Sequence, residues 1–262
     1  RELRELELQI LQRLHGGQID SARLLLDALL RVDVDQMHGI EIEEWPARIA
    51  EVAMWLIDHQ MNQKVGEAFG QPVRRLPLVK SAKIAHANAL RIDWNDVLPA
   101  EECSFVVGNP PFVGKQHMDP DQSADLDAIC GHIKGSGVLD FVTAWYVIAT
   151  KYLKRVQAVA AFVSTNSITQ GEQASVLWPA LLKSGIDIAI AHRTFSWISE
   201  ARGKAHVHVV IIGFAMHECS RKVIIDYGED ESRPSSTLAK NINPYLVDGP
   251  DIVVTARSTP IC

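Results

Sequence analysis

Strand-like and helix-like segments alternate along almost the whole chain, and this alternation limits the possible folds more than any other feature. A strand that pairs parallel with its predecessor needs a crossover, usually a helix, so such a succession builds a sheet covered on both faces. "QMHGIEIE" reads as a strand, and Pro46 opens the amphipathic helix "PARIAEVAMWLIDHQMN" in the first turn, where the missing proline N–H is tolerated. "AKIAHANAL" and "ECSFVVGN" read as two further strands. Between Val113 and Gly137 the composition turns polar, which predicts a mobile loop. Helix "LDFVTAWYVIATKYL" leads to strand "QAVAAFVST", helix "GEQASVLWPALLKSG" leads to strand "DIAIAHRTF", and a turn at "SEARGK" leads to strand "AHVHVVIIGF". The last two strands have no helix between them, so an antiparallel hairpin at the sheet edge is expected. Upstream, "RELRELELQILQRL" and "IDSARLLLDALLRV" have helical periodicity and are separated by Gly16 and Gly17. The expected architecture is an α/β, mostly parallel sheet with an antiparallel edge hairpin and helices on both faces.

The 262 residues, 47% hydrophobic and 22% charged, suffice for one large core or a core with an appended subdomain. No apolar run approaches the length that crosses a bilayer, and "RELRELELQ" lacks a signal-peptide pattern, so a cytoplasmic location away from membranes is expected. Cys103, Cys130, Cys219 and Cys262 show no CxxC pairing and no His at ligand spacing, so neither a metal site nor a disulfide framework is expected. A formal charge of −6 argues against attachment to nucleic acid by bulk electrostatics alone.

The chemistry-bearing stretch is "SFVVGNPPFVGKQ". Ligands of open α/β sheets bind at the carboxyl ends of strands, where this loop falls. Pro110 and Pro111 stiffen it and offer carbonyls without N–H groups of their own, and Asn109 adds a side-chain oxygen. Two rigid acceptors suit an amine with two hydrogens, and Phe112 offers a flat surface for a planar heterocycle. Hydrogen bonds from an exocyclic amine to Asn109 and Pro110 favour a more tetrahedral nitrogen, whose lone pair can attack a carbon electrophile. The plainer reading is a rigid Asn-Pro turn with a packed phenylalanine.

Asn-Pro-Pro-Phe after a hydrophobic strand resembles the catalytic motif of the S-adenosylmethionine-dependent methyltransferases that modify the exocyclic amine of adenine in DNA. The resemblance implies catalytic roles for Asn109, Pro110, Pro111 and Phe112. "HGIEIEEWPARIAEVA" resembles the acidic-strand motif of that superfamily, which implies that Glu41 accepts the cofactor's ribose hydroxyls and Ile42 lies against its adenine. In "HANALRIDW", Asn88 stands where family members often have Asp before a small residue, here Ala89, implying contact with the cofactor's adenine amine; Asn88 could equally cap a turn. "GVLDFVTAWYV" resembles the helix packed on that adenine, pointing to Leu139 and Phe141, although apolar residues at helical spacing also make plain core.

"AFVSTNSITQGEQ" resembles the strand and loop lining the target pocket, with Thr165 and Asn166 contacting base or backbone, or Thr165 serving as a helix cap. "AHRTFSWISEARGKAHVHVVIIGF" resembles the hairpin with the second aromatic wall, from Phe195 or Trp197, and Arg193, Arg202 and Lys204 become candidate phosphate contacts or a solvated basic turn. Target adenine would be extruded from duplex DNA, at a cost of a few kcal/mol, into a pocket where stacking returns about 1–3 kcal/mol per base.

"TNSITQGEQ", "AHRTFSW", "GKAHVHVVIIGF" and "NINPYLVDG" together resemble the MmeI-like single-chain type II restriction-modification enzymes, a class I DNA methyltransferase group, over nearly the whole chain. This implies a Rossmann-like class I fold whose first strand is missing, with a partial catalytic domain at residues 1–218 and a linker and start of a target-recognition region at 219–262. Double-stranded DNA is the implied partner, with target-recognition and endonuclease domains in the same parent chain. Similar Asn-Pro-Pro-aromatic motifs serve methyltransferases of ribosomal-RNA guanine and of release-factor glutamine, and a degenerate, non-catalytic DNA-binding module is a further alternative.

The family's Gly-rich cofactor loop has no counterpart before "RELRELELQ". The parent protein is therefore expected to methylate adenine with S-adenosylmethionine, and this polypeptide alone to bind that cofactor weakly or not at all. Isothermal titration of the 262-residue chain with S-adenosylmethionine checks this: heats indistinguishable from dilution are expected, and micromolar binding overturns it.

Overall fold

The computed structural model of the chain describes residues 1–15, 29–70, 80–198, 206–228 and 233–254. Most of "IDSARLLLDALLRV" and the "SEARGK" turn, with Arg202 and Lys204, lie outside them. The chain divides into two compact units, Arg1–Leu98 and Pro99–Cys262.

The first unit contains α1 (Glu2–His15), β1 (His38–Glu41), α2 (Glu44–Phe69) and β2 (Lys83–His86). β1 and β2 pair in parallel, from His38 opposite Lys83 to Glu41 opposite His86. Pro46 falls in the first turn of α2, which runs past the expected Asn62 and ends at Gly70 with φ 66°, a left-handed conformation that glycine adopts without steric cost. Leu11, Leu30 and Val65 form a small core, packed against by Leu8, Leu29 and Phe69.

The second unit is built on six strands: β3 (Phe105–Gly108), β4 (Val159–Thr165), β5 (Asp187–Ile198), β6 (His206–Ala215), β7 (Lys222–Asp226) and β8 (Ser235–Ala239), in the order β3-β4-β6-β5-β7-β8. β3 is parallel to β4, and β5 to β7, while β6 runs antiparallel to both β4 and β5. Four strands, β3, β4, β5 and β7, therefore point the same way and present their carboxyl ends at one sheet edge. The predicted hairpin forms as β5–β6, but it lies inside the sheet, because β7 and β8 continue past it. The boundary expected at residue 218 likewise falls inside this unit, since β7 and β8 follow it in the same sheet.

Alternation along β4, "VAAFVST", buries Ala160, Phe162 and Ser164 on one face, in register with Phe214, Ile212 and Val210 of β6. Helices α4 (Thr143–Tyr152) and α5 (Gly171–Ser184) supply the other half of the core. Tyr146 sits at its centre, edge-on to Phe162 at 5.3 Å, stacked with Phe214 at 5.4 Å and edge-on to Trp178 at 6.4 Å. Its buried hydroxyl bonds Ser164 Oγ at 2.8 Å, and Trp178 donates to the Ile168 carbonyl at 2.8 Å. On the opposite face, Phe105 and Val107 of the edge strand β3 are exposed.

The segment predicted as a mobile loop between Val113 and Gly137 instead holds α3 (Pro120–Cys130). Asp119 caps it, accepting from the Gln122 N–H while the Gln122 side chain accepts from the Asp119 N–H, and Pro120 occupies the first helical position. Among the described residues, no helix is long and apolar enough to cross a membrane.

The Tyr146–Ser164 bond is a stability test. Ser164→Ala strands a buried phenol and is expected to cost about 1–3 kcal/mol, whereas Tyr146→Phe combined with Ser164→Ala costs less than the sum of the two single changes. Urea denaturation of the four proteins checks this, and strict additivity refutes it.

Candidate active site

β3 ends at Gly108, where a side chain would be crowded. A Cβ there would lie 3.2 Å from Cδ1 and Cε1 of Phe162, the residue paired with Gly108 across the parallel ladder. The chain leaves the sheet directly into Asn109, which is exposed, and Pro110, which is buried. Among the described residues no group bonds the Asn109 side chain, and no N–H donates to the Pro110 carbonyl. Pro111 is exposed and its carbonyl takes the Val113 N–H at 3.1 Å; Phe112 is half-buried. Asn109 is thus exposed and Phe112 only partly covered, so the loop holds an exposed amide and an unbonded carbonyl of a buried proline beside a ring.

The exit of this loop is held from β4, α5 and the lead-in to α4. Phe141 N–H donates to the Val113 carbonyl at 3.0 Å, and Lys115 N–H donates to Asp140 Oδ1 at 3.1 Å. Asp140 Oδ2 accepts from Ser167 Oγ at 3.1 Å and Gln173 Nε2 at 2.7 Å, while its own N–H donates to Gln173 Oε1 at 3.1 Å. Ser167 Oγ meets Thr165 Oγ1 at 2.7 Å. Because the single Ser167 hydroxyl hydrogen goes to the carboxylate, Thr165 is the donor in that pair, and its own lone pairs remain free to accept.

Thr165 occupies the cap position of the short helical turn Asn166–Thr169, yet its side chain caps no N–H. Asn166, Ser167, Gln170 and Gln173 line an open cleft of about 460 Å³ beside that turn. Val138, Gly171 and Glu172 complete the walls, which are thus part apolar and part polar, with Glu172 the charged member.

At the carboxyl ends of β5 and β7 lies an aromatic cluster. Phe195 stacks on Tyr227 with centroids 4.5 Å apart, and His192 Nδ1 lies 2.7 Å from the Tyr227 hydroxyl. Burial lowers the His192 pKa and favours the neutral ring. Trp197 is tilted against Phe195 at 6.3 Å and remains 37% exposed. One face of Phe195 is therefore taken by Tyr227, and Trp197 carries the freer ring. Arg193, a candidate phosphate contact, is paired with Asp226 at 2.5 Å. The Asp226 carboxyl is held below its usual range, chiefly by the Gly228 N–H and also by Arg193.

In the first unit, Glu41 closes β1 and its Oε1 accepts the Glu43 N–H at 3.1 Å, while Ile42 beside it is exposed. The Asn88 side-chain oxygen accepts the Leu90 N–H at 2.8 Å, the turn-capping role the sequence left open, and the Ala89 carbonyl accepts from Trp94 Nε1 at 2.9 Å. Leu139 and Phe141 are buried in the second unit's core and present no open apolar surface, with Phe141 edge-on to Trp145 at 5.2 Å. Burial raises the Cys130 thiol to about 11, which makes it a poor nucleophile. Among the described residues no group of His, Cys, Asp and Glu could hold a metal ion.

Residues that sequence reasoning passed over are Asp140, Gln173 and Tyr227. Their signal is contact across 25 to 35 positions, which spacing along the chain does not carry.

Residues 1–226 match the family described as MmeI, DNA-methyltransferase domain. The chain is 39% identical over 266 residues to DNA methyltransferase A of Bacillus subtilis (strain 168), covering all of this chain and 29% of that protein. It superposes on the Type IIL restriction-modification enzyme MmeI, solved in complex with DNA, with a TM-score of 0.92 and 51% identity, over all of this chain and 35% of that one. The chain thus spans about a third of the length of the relatives it matches.

Proposed function

Since the chain belongs to the MmeI DNA-methyltransferase domain family, we propose that it is the catalytic part of a restriction-modification methyltransferase that transfers a methyl group to the exocyclic amine of an adenine flipped out of duplex DNA. One observation carries this reading: at the end of β3 the Asn109 side chain and the Pro110 carbonyl stand unbonded beside the half-buried Phe112.

Asn109 Oδ1 and the Pro110 carbonyl accept the two amine hydrogens and draw the nitrogen toward tetrahedral geometry, so that its lone pair leaves the ring's π system. The lone pair so released would be the nucleophile toward a methyl group carried on a sulfonium sulfur, which would leave with the C–S electrons, and the amine's surplus proton would pass to water. Pro111 keeps the loop stiff, so neither acceptor has to be reorganised during the reaction. Phe112 stacks on one face of the base and Trp197 on the other, a choice supported by the engagement of Phe195 with Tyr227. Thr165, with free acceptor lone pairs, and Asn166 contact the base or the adjoining backbone.

S-adenosylmethionine, when bound, supplies the electrophilic methyl group. The residues of the first unit fit it in part: Glu41 keeps a second carboxylate oxygen for a ribose hydroxyl, and exposed Ile42 lies beside it. The Asn88 oxygen accepts a turn N–H, and Leu139 and Phe141 are buried in the second unit. Target-recognition and endonuclease segments would belong to the rest of the parent chain, which would also supply the positive charge for the DNA backbone.

Asn109→Ala in the full-length protein is expected to lower the rate of adenine methylation by about a hundredfold or more, the scale of losing one preorganised polar contact to the transition state. Methylation of N6 in genomic DNA, read by single-molecule sequencing, checks it. An undiminished rate removes Asn109 from the mechanism.

A further inference from the structure

We propose that Asp140 is the positioning residue that fixes the Asn109–Phe112 loop for capture of the target amine, an inference that rests on the adenine-methyltransferase reading. Its carboxylate bonds three of the segments around the loop. Oδ1 takes the Lys115 N–H just after the loop, and Oδ2 takes Ser167 from the turn after β4 and Gln173 from the first turn of α5. The Asp140 N–H returns a bond to Gln173 Oε1, so the carboxylate cannot swing without breaking a reciprocal pair. Its carbonyl is also engaged, accepting from Thr143 Oγ1 at 2.7 Å and the Thr143 N–H at 3.0 Å.

The loop's exit also runs past the carboxylate: a Cβ on Gly114 would sit in ordinary contact with Asp140 Oδ1, at 3.7 Å. Proline gives the loop no N–H with which to tie itself down, and its entrance is fixed only by the end of β3. Without Asp140 the exit would keep one bond, from Phe141 N–H to the Val113 carbonyl.

The second consequence concerns hydrogens. An anionic acceptor at Oδ2 makes Ser167 donate to it and Thr165 donate to Ser167, which leaves Thr165 Oγ1 with lone pairs free to accept. Asp140 thus sets both the place of the two catalytic acceptors and the hydrogen-bonding sense of a third. An amide in its place preserves shape but puts donors where two donors already point.

Asp140→Asn in the full-length protein tests this. The expected result is a fall in kcat for adenine methylation of about 10- to 100-fold, the effect of misplacing reacting groups by a fraction of an ångström to an ångström, with KM for DNA unchanged and the protein still folded at the assay temperature. In an Asn109→Ala background, Asp140→Asn should cause a smaller loss than in the wild type, because part of its effect passes through Asn109. A wild-type kcat in Asp140→Asn, or losses that multiply with those of Asn109→Ala, overturns the role. Should Asp140→Asn fail to fold, Ser167→Ala and Gln173→Ala decide: reduced kcat at constant KM supports it, and unchanged kcat in both overturns it. A wild-type protein that transfers no methyl to adenine brings down the functional reading and this one with it, an outcome distinct from an active wild type with an indifferent Asp140.

Discussion

The parallel pairing of β3 with β4 is the constraint on which the site depends. Gly108 opposite Phe162 sets how far β3 runs before the chain turns out at Asn109, and Thr165 ends β4 three residues beyond Phe162. Two loops from adjacent strand ends therefore emerge side by side, one carrying free acceptors and the other the Thr165–Ser167 hydroxyl pair. Antiparallel pairing would have sent them to opposite edges. The pairing is in turn held from below, because Phe162 packs edge-on to Tyr146, whose hydroxyl is satisfied by Ser164 of the same strand. Packing in the core and geometry at the loop are thus parts of a single arrangement, and any side chain added at Gly108 would disturb both.

Electrostatics adds a second limit. Two cations of the second unit are engaged within it: Arg193 is tied to Asp226, and Lys222, buried, to Asp187 and to the Asn241 side-chain oxygen. The whole chain carries a net charge of −6, which does not favour attachment to phosphates by bulk electrostatics. What the site offers instead is neutral: an amide, a proline carbonyl, hydroxyls and aromatic rings. Such groups suit the recognition of a base by its edge and faces rather than of a backbone by its charge.

Much of this was legible in the sequence, and the reasons for the remainder are physical. The strands and long helices follow from apolar periodicity, and the loop at Asn109 from the stop of an apolar run at glycine before two prolines. α3 was missed because its polar composition reads as loop; the capping pair Asp119 and Gln122 around Pro120 was the available signal. β7 and β8 are short, and β8 is almost entirely exposed, so periodicity had little to register. The hairpin's place inside the sheet depends on β7 pairing with β5 across a stretch of chain no local pattern spans. Leu139 and Phe141 illustrate a different limit, since helical spacing of apolar residues does not distinguish a surface for a ligand from the core beneath it.

Asp140 shows why a site's supports are harder to read than its acceptors. Asn109 and Pro110 announce themselves because proline and asparagine are expensive in a strand and must be repaid by a turn or by chemistry. An aspartate between Leu139 and Phe141 looks like a single polar interruption of an apolar run. Its carboxylate nevertheless has three donors converging on it, from residues 115, 167 and 173, and desolvating it is tolerable only because all three are present. A group so thoroughly satisfied is costly to replace with anything of different charge or hydrogen-bonding sense. Rigidity at the loop's exit follows from that satisfaction.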